Sequence, residues 1–244
     1  MPIIYLSPST QEFNPYNGGG TEEQYMNLIA DAMEPYLTAS GIRFSRNTPE
    51  MTAASSIRAS NSGRYDFHLA LHSNASPTGD GSLRGSDVYY YPSSVKGKTF
   101  AHIAAANLRL IYPLPEKVRA VPTTTIGEVS KTKAPASLIE IAYHDNRQDA
   151  DWIRANIDVI AQNLVLSLTE YFGIPFNTPE PIRTATVATA GSPLNIRYLP
   201  SLSSAVIGKI PNGTEVTVFA QKPEWLLVGY GDQTGYVSRR YIQF

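Results

Sequence analysis

The chain has 244 residues, 42% of them apolar and 17% charged, with a formal net charge of −1. This apolar content excludes a disordered chain, and the length allows one large domain or a medium domain with a small appendage. The near-neutral charge gives no general attraction to nucleic acid, and the absence of cysteine removes disulfides, thiol nucleophiles and cysteine-based metal sites.

From the N-terminus, the sequence predicts a strand over residues 3–6, a Gly/Asn-rich loop over 14–20, and a helix over 22–39 stopped by Ser40-Gly41. Strands follow over 42–45, 65–72 and 88–91, then a helix over 97–111, a strand over 137–143 and a long closing helix over 149–172. Strands separated by helices predict an α/β fold, a mostly parallel twisted sheet flanked by helices, for residues 1–174. Residues 175–186, with Phe176-Asn177-Thr178-Pro179-Glu180-Pro181, read as an extended linker. Beyond it, residues 187–244 carry short strand-like runs over 205–210, 215–219, 225–230 and 235–237, separated by Pro-Asn-Gly and Gly-Asp-Gln turns. That pattern predicts a small all-β barrel. The charges divide as well: 14 basic and 18 acidic residues in 1–182, but 6 basic and 3 acidic in 183–244, a division suited to an acidic body held to an anionic surface by a basic appendage.

Among the four histidines, His72 closes the strand Phe67-His68-Leu69-Ala70-Leu71-His72, where open α/β sheets place their ligands. His68 shares that strand face about 13 Å away, too far to share a metal, and reads as structural, as does His102 on a helix surface. Glu22 and Glu23 open the first helix. Met26, Ala30, Met33 and Leu37 form an apolar stripe with Glu23 on its line and Glu22 turned about 100° away. On that reading Glu22 is a first-turn acid facing the helix dipole, whereas Glu23 points at the sheet and needs a metal or donors. Glu140, within Ser137-Leu138-Ile139-Glu140-Ile141-Ala142-Tyr143, is a charge in an apolar run, costly unless paired or functional. His144 shares its strand face.

Four segments in order carry a resemblance: Glu23-Gln24-Tyr25-Met26-Asn27; Arg58-Ala59-Ser60-Asn61 leading to Leu71-His72-Ser73-Asn74; Gly85-Ser86-Asp87-Val88-Tyr89; and Pro135-Ala136-Ser137-Leu138-Ile139-Glu140 with Asp145-Asn146. Residues 2–172 resemble the third family of zinc-dependent N-acetylmuramoyl-L-alanine amidases, found in bacterial autolysins and phage endolysins. The resemblance implies a Zn2+ cofactor with Glu23 and His72 as ligands and Glu140 as the catalytic acid–base. It also implies a peptidoglycan substrate cut between N-acetylmuramic acid and L-alanine, with Asn74 and the backbone of Gly85 as substrate contacts. One feature departs from the family: the turn after the first strand, Ser7-Pro8-Ser9-Thr10-Gln11, has no histidine where the family places its first zinc ligand. His144 is a candidate replacement or a residue lining the groove, and Gln11 offers only a neutral carbonyl.

The tail, Leu194-Asn195-Ile196-Arg197-Tyr198-Leu199-Pro200 through Gly208-Lys209-Ile210-Pro211-Asn212-Gly213 and Trp225-Leu226-Leu227-Val228 to Gly235-Tyr236-Val237, resembles the bacterial SH3 domain, which implies cell-wall targeting. Trp225 is expected to fill the barrel core. Gly235 is expected to allow a close backbone approach. The alternatives are a catalytically silent wall-binding protein with a degraded metal site, and a zinc peptidase acting on the stem peptide. No run reaches the roughly 18 apolar residues of a membrane helix, and the first residues show no signal peptide, so the expectation is a protein kept in the cytoplasm until released to the wall.

Overall fold

The structure is a computed structural model describing residues 1–244. The chain forms two compact units, one of residues 3–34 and 44–172, the other of residues 1–2, 35–43 and 173–244. No helix is long and apolar enough to cross a membrane.

The first unit is built on strands β1 (Ile3–Pro8), β2 (Arg43–Arg46), β3 (Phe67–Asn74), β4 (Ser86–Tyr90), β5 (Val118–Pro122) and β6 (Ala136–Tyr143), in the order β2-β1-β3-β6-β4-β5. The pairs β1–β3, β3–β6 and β4–β5 are parallel and β4–β6 is antiparallel, so the sheet is mixed. The helices are α1 (Glu22–Ala39, of which residues 35–39 group with the second unit), α2 (Ala53–Ser62), α3 (Val95–Leu108), α4 (Gly127–Ser130), α5 (Arg147–Ala155) and α6 (Ile157–Phe172). Phe67 to Ser73 of β3 are all buried, as expected of a central strand covered on both faces.

Three elements lacked a sequence signal. α2 has no apolar stripe and starts instead from a capping box, in which Thr52 and Ser55 satisfy each other's backbone N–H. β5 and α4 are too short for either hydrophobic period to show. The expected closing helix is two helices. Asn156 between them leaves helical geometry (φ −129°, ψ 24°) while its side chain donates to the Trp152 carbonyl at 2.8 Å, the local competition with the helix ladder that asparagine favours.

Gly85, just before β4, holds φ +136°, and a Cβ there would stand 2.7 Å from the Lys117 carbonyl oxygen. Gly85→Ala is expected to destabilise the protein by about 1–3 kcal/mol, read as a lower midpoint in urea denaturation. An unchanged midpoint would contradict this tight approach of β4 to β5.

The second unit contains β7 (Arg183–Val187), β8 (Leu194–Arg197), β9 (Val206–Ile210), β10 (Glu215–Gln221), β11 (Trp225–Tyr230), β12 (Gln233–Ser238) and β13 (Ile242–Gln243), in the order β13-β7-β10-β11-β12-β8-β9. Every pairing is antiparallel. Val187, Ile196, Ile210, Val216, Leu226, Val228 and Val237 form its core. The fully buried aromatic is Tyr236, while Trp225 packs, half-buried, against Ala220, Leu227 and Tyr236. The alternation of β11 turns Trp225 to the face shared with Leu227, away from the core of Leu226 and Val228. At Gly235 a Cβ would meet Ile196 at 2.5 Å and the Arg197 carbonyl at 2.8 Å, the expected close approach. β7 begins inside the segment expected to be a linker, and Asn177 within it is buried, donating to the Ala39 carbonyl at 2.9 Å and the Tyr236 hydroxyl at 3.2 Å. Those partners hold it as packed structure, which a proline-rich composition did not reveal.

Candidate active site

The C-terminal ends of β1 and β3, the first turn of α1 and the one-turn helix α4 bring a chain of charged side chains together. His72 stands at its centre, with Nδ1 2.8 Å from Glu22 Oε1 and Nε2 3.0 Å from Glu128 Oε2. All three are buried, with exposures of 7%, 1% and 4%. Glu22 also accepts from Asn14 Nδ2 at 2.6 Å and from the Ser73 backbone N–H at 3.3 Å. The Gln11 amide nitrogen lies 3.3 Å from His72 Nδ1. The other oxygen of Glu128 accepts from Ser7 Oγ at 2.5 Å and meets His68 Nε2 at 3.4 Å, while His68 Nδ1 is 2.9 Å from Ser60 Oγ.

Electrostatics follow from this geometry. Burial opposes a charge on His72, but hydrogen bonds to Glu128 and Glu22 outweigh it and raise the imidazole well above its ordinary range. Burial likewise opposes ionisation of Glu128, yet hydrogen bonds from His68 and His72 bring it down to about 2. Glu22 is lowered in the same way, chiefly by His72 acting against burial.

Strand register supplies the second carboxylate. The parallel β3–β6 pairing sets Glu140 opposite His72, the antiparallel β6–β4 pairing sets Asp87 opposite Glu140, and β4–β5 sets Arg119 opposite Asp87. Residues directly opposite share a face, so four ionisable side chains form a row across four strands. Arg119 grips Asp87 with two hydrogen bonds of 2.8 Å. Glu140 has no such partner: its Oε2 is shut off from solvent and makes no hydrogen bond. Burial, partly offset by His72 and reinforced by Glu22, Asp87 and Glu128, pushes it up to about 7. A carboxyl poised near neutrality is suited to taking up and returning a proton.

A cleft of about 350 Å³ opens beside this cluster, with Gln11, Phe13, Asn47, Met51, His72 and Glu128 in its wall. A second, of about 400 Å³, is lined by Arg84, Gly85, Asp87, Lys117, Arg119 and Tyr143.

The structure places His72 and Glu140 together and revises their neighbours. Glu22, not Glu23, reaches His72. Glu23 is only half-buried and bonds Asn27 Nδ2 at 3.1 Å. The buried stripe of α1 includes Ile29 beside Met26, Met33 and Leu37, and Glu22 precedes Met26 and Ile29 by four and seven residues, which puts it on the buried line. His144 does not join the pair. Its Nδ1 is taken up by the carbonyl and hydroxyl of Ser73 at 2.7 and 3.1 Å, and its ring stacks on Tyr16. Asn74 is half-buried at the end of β3, its side chain accepting from the Ala75 N–H at 2.9 Å. Gly85 lines the second cleft, and its N–H donates to Asp149 at 3.2 Å. His68 is a buried structural histidine that nonetheless shares the Glu128 carboxylate with His72. Glu128 itself escaped the sequence reading, because Gly127, Ser130 and Lys131 around it break any apolar run of the kind that exposed Glu140.

On the Nδ1 side of His72 stand the Glu22 carboxylate and the Gln11 amide nitrogen, the Gln11 oxygen accepting from Asn14 Nδ2 at 3.1 Å. No third His, Cys, Asp or Glu joins Glu22 and His72 in a cage. Glu22 and His72, two strong donors beside an orphaned buried carboxylate oxygen, would hold a divalent cation with its other positions open.

A mixed α/β sheet carrying carboxylates and a histidine at its strand ends, followed along the chain by an antiparallel barrel, defines a two-unit protein equipped for acid–base chemistry. Residues 10–170 match the N-acetylmuramoyl-L-alanine amidase family and residues 192–243 the bacterial SH3 domain. The chain belongs to the N-acetylmuramoyl-L-alanine amidase family. It is 26% identical over 145 residues to YrvJ of Bacillus subtilis (strain 168), a provisionally assigned N-acetylmuramoyl-L-alanine amidase. The match covers 59% of this chain and 27% of that protein, so the chain spans little more than a quarter of the relative's length. The fold is similar to the catalytic domain of the CD27L endolysin targeting Clostridia Difficile (TM-score 0.58, 22% identity, 70% of this chain and 98% of that one). It is also similar to the amidase AmiC2 of Nostoc punctiforme (TM-score 0.61, 15% identity, 70% and 97%).

Proposed function

We propose that the protein is a zinc-dependent peptidoglycan amidase that hydrolyses the bond between N-acetylmuramic acid and L-alanine, and that its SH3 domain holds it to the cell wall. The observation that carries this reading is the convergence of Glu22 and His72 beside the unpartnered Glu140. Glu22 and His72 would hold the metal, with no side-chain donor in place of the family's histidine. When bound, the metal would polarise the scissile carbonyl and acidify a water. Glu140 takes the proton of the attacking water and returns it to the departing alanine amine. Burial suits it to both steps, because it disfavours the charged carboxylate enough for the proton to be held and released near neutral pH. Asn74 and the surroundings of Gly85 are the proposed substrate contacts.

The missing histidine favours a second reading, a wall-binding protein without turnover. Purified protein incubated with cell walls, with zinc measured by elemental analysis, separates the two. Release of L-alanine amino groups with about one bound zinc per chain is expected. Wall binding with neither zinc nor new amino groups would establish the silent reading, and new termini between amino acids would indicate a peptidase.

A further inference from the structure

We propose that Glu128 is a positioning residue, its carboxylate holding His72 by Nε2 so that Nδ1 is presented, together with Glu22, to the cation. The proposal rests on the reading of Glu22 and His72 as metal ligands. In the metal-free protein both ring nitrogens meet carboxylates, Nε2 at Glu128 and Nδ1 at Glu22; a metal would displace the Nδ1 proton, and the carboxylate left on Nε2 would fix the ring's orientation and raise its basicity as a ligand. Glu128 is equipped for the task. It is 3.0 Å from His72 Nε2 and only 4% exposed. Its second oxygen is held by Ser7 and His68, and His68 in turn is fixed by Ser60 and by stacking on Tyr5 (5.4 Å between ring centroids, 11° between planes). Its backbone carbonyl accepts from Thr132 Oγ1 at 3.2 Å. The carboxylate is therefore anchored on every side except the one turned to His72. With no histidine in the turn after β1 and only a neutral amide near, His72 is the single nitrogen donor of strength at the site. Its orientation then carries a larger share of metal affinity than it would in a site with two histidines.

The test measures Zn(II) affinity by competition with a chromophoric chelator. Glu128→Gln preserves shape but removes the charge, and a loss of about 10- to 100-fold in zinc affinity is expected. In the metal-free protein, the proton on His72 Nε2 is expected to give a downfield NMR resonance that shifts upfield or disappears in the variant. A merely structural role would lower the melting temperature and leave both readouts where they were. Ser7→Ala, which loosens Glu128 and also removes a 3.4 Å contact to Asn47 Nδ2, is expected to weaken zinc binding by a smaller factor, and it decides the matter if Glu128→Gln does not fold. Wild-type zinc affinity in a folded Glu128→Gln protein would overturn the proposal. Failure of the wild-type protein to bind zinc would overturn the ligand assignment instead, and the metal-free resonance would still show whether Glu128 orients His72.

Discussion

Glu140→Gln is expected to lower amide hydrolysis by about 10²- to 10⁴-fold while removing a pH-dependent penalty on folding. The folded-state pKa of Glu140 is raised from 4.5 to about 7, so the folded protein holds this proton more tightly than the unfolded chain. The associated stability is fully present below about pH 4.5 and is lost as pH rises through 7. A shift of that size corresponds to about 3 kcal/mol. Denaturant titrations of the metal-free proteins at pH 4.5 and pH 8 provide the check. The wild type is expected to lose stability relative to the variant over this range, by at most about that amount, because His72, Glu22 and Glu128 are coupled to Glu140 and shift when its charge is removed. Parallel pH dependence in the two proteins would show that burial of Oε2 without a hydrogen-bond partner does not raise Glu140 as described here. Retained hydrolysis would remove it from the chemistry.

The second large effect separates two adjacent acids. Glu22→Gln is expected to reduce bound zinc to background and to lower kcat/KM by more than about 100-fold, beyond the range seen for residues that merely support a ligand. Glu23→Gln is expected to leave both within about twofold, as substitutions away from buried networks usually do. Glu22 touches His72 and Asn14 from a buried position, whereas Glu23 bonds Asn27 on its own helix. Elemental analysis and initial-rate kinetics on the two proteins suffice. The reverse order of effects would restore Glu23 as the ligand and undo the site geometry.

Much of this arrangement is visible in the residues alone, because charge within an apolar run is costly and therefore conspicuous. His72 at the end of one such strand and Glu140 within another were recognisable for that reason, and register brings them opposite each other. The choice between Glu22 and Glu23 was not recoverable in the same way. A stripe drawn through Ala30 points to Glu23, one drawn through Ile29 points to Glu22, and both are buried, so one helical step of about 100° decides which acid meets His72. Glu128 stayed hidden because α4 is only four residues long and shows no period. His144 looked available by strand alternation, but its ring is committed to Ser73 and Tyr16, contacts that depend on the loop containing Tyr16 folding back onto β3. The barrel was readable from its turns and short strands, although the alternation of β11 gives the fully buried aromatic position to Tyr236 rather than Trp225.

The central claim is that Glu22 and His72 meet on one cation beside Glu140. Anomalous diffraction at the zinc edge from crystals grown with Zn(II) tests it most directly. The expected result is a single strong peak about 2.0–2.3 Å from a Glu22 carboxylate oxygen and from His72 Nδ1, with Glu128 remaining on Nε2. A peak held instead by Glu23 or His144, or no peak within reach of His72, would contradict the account.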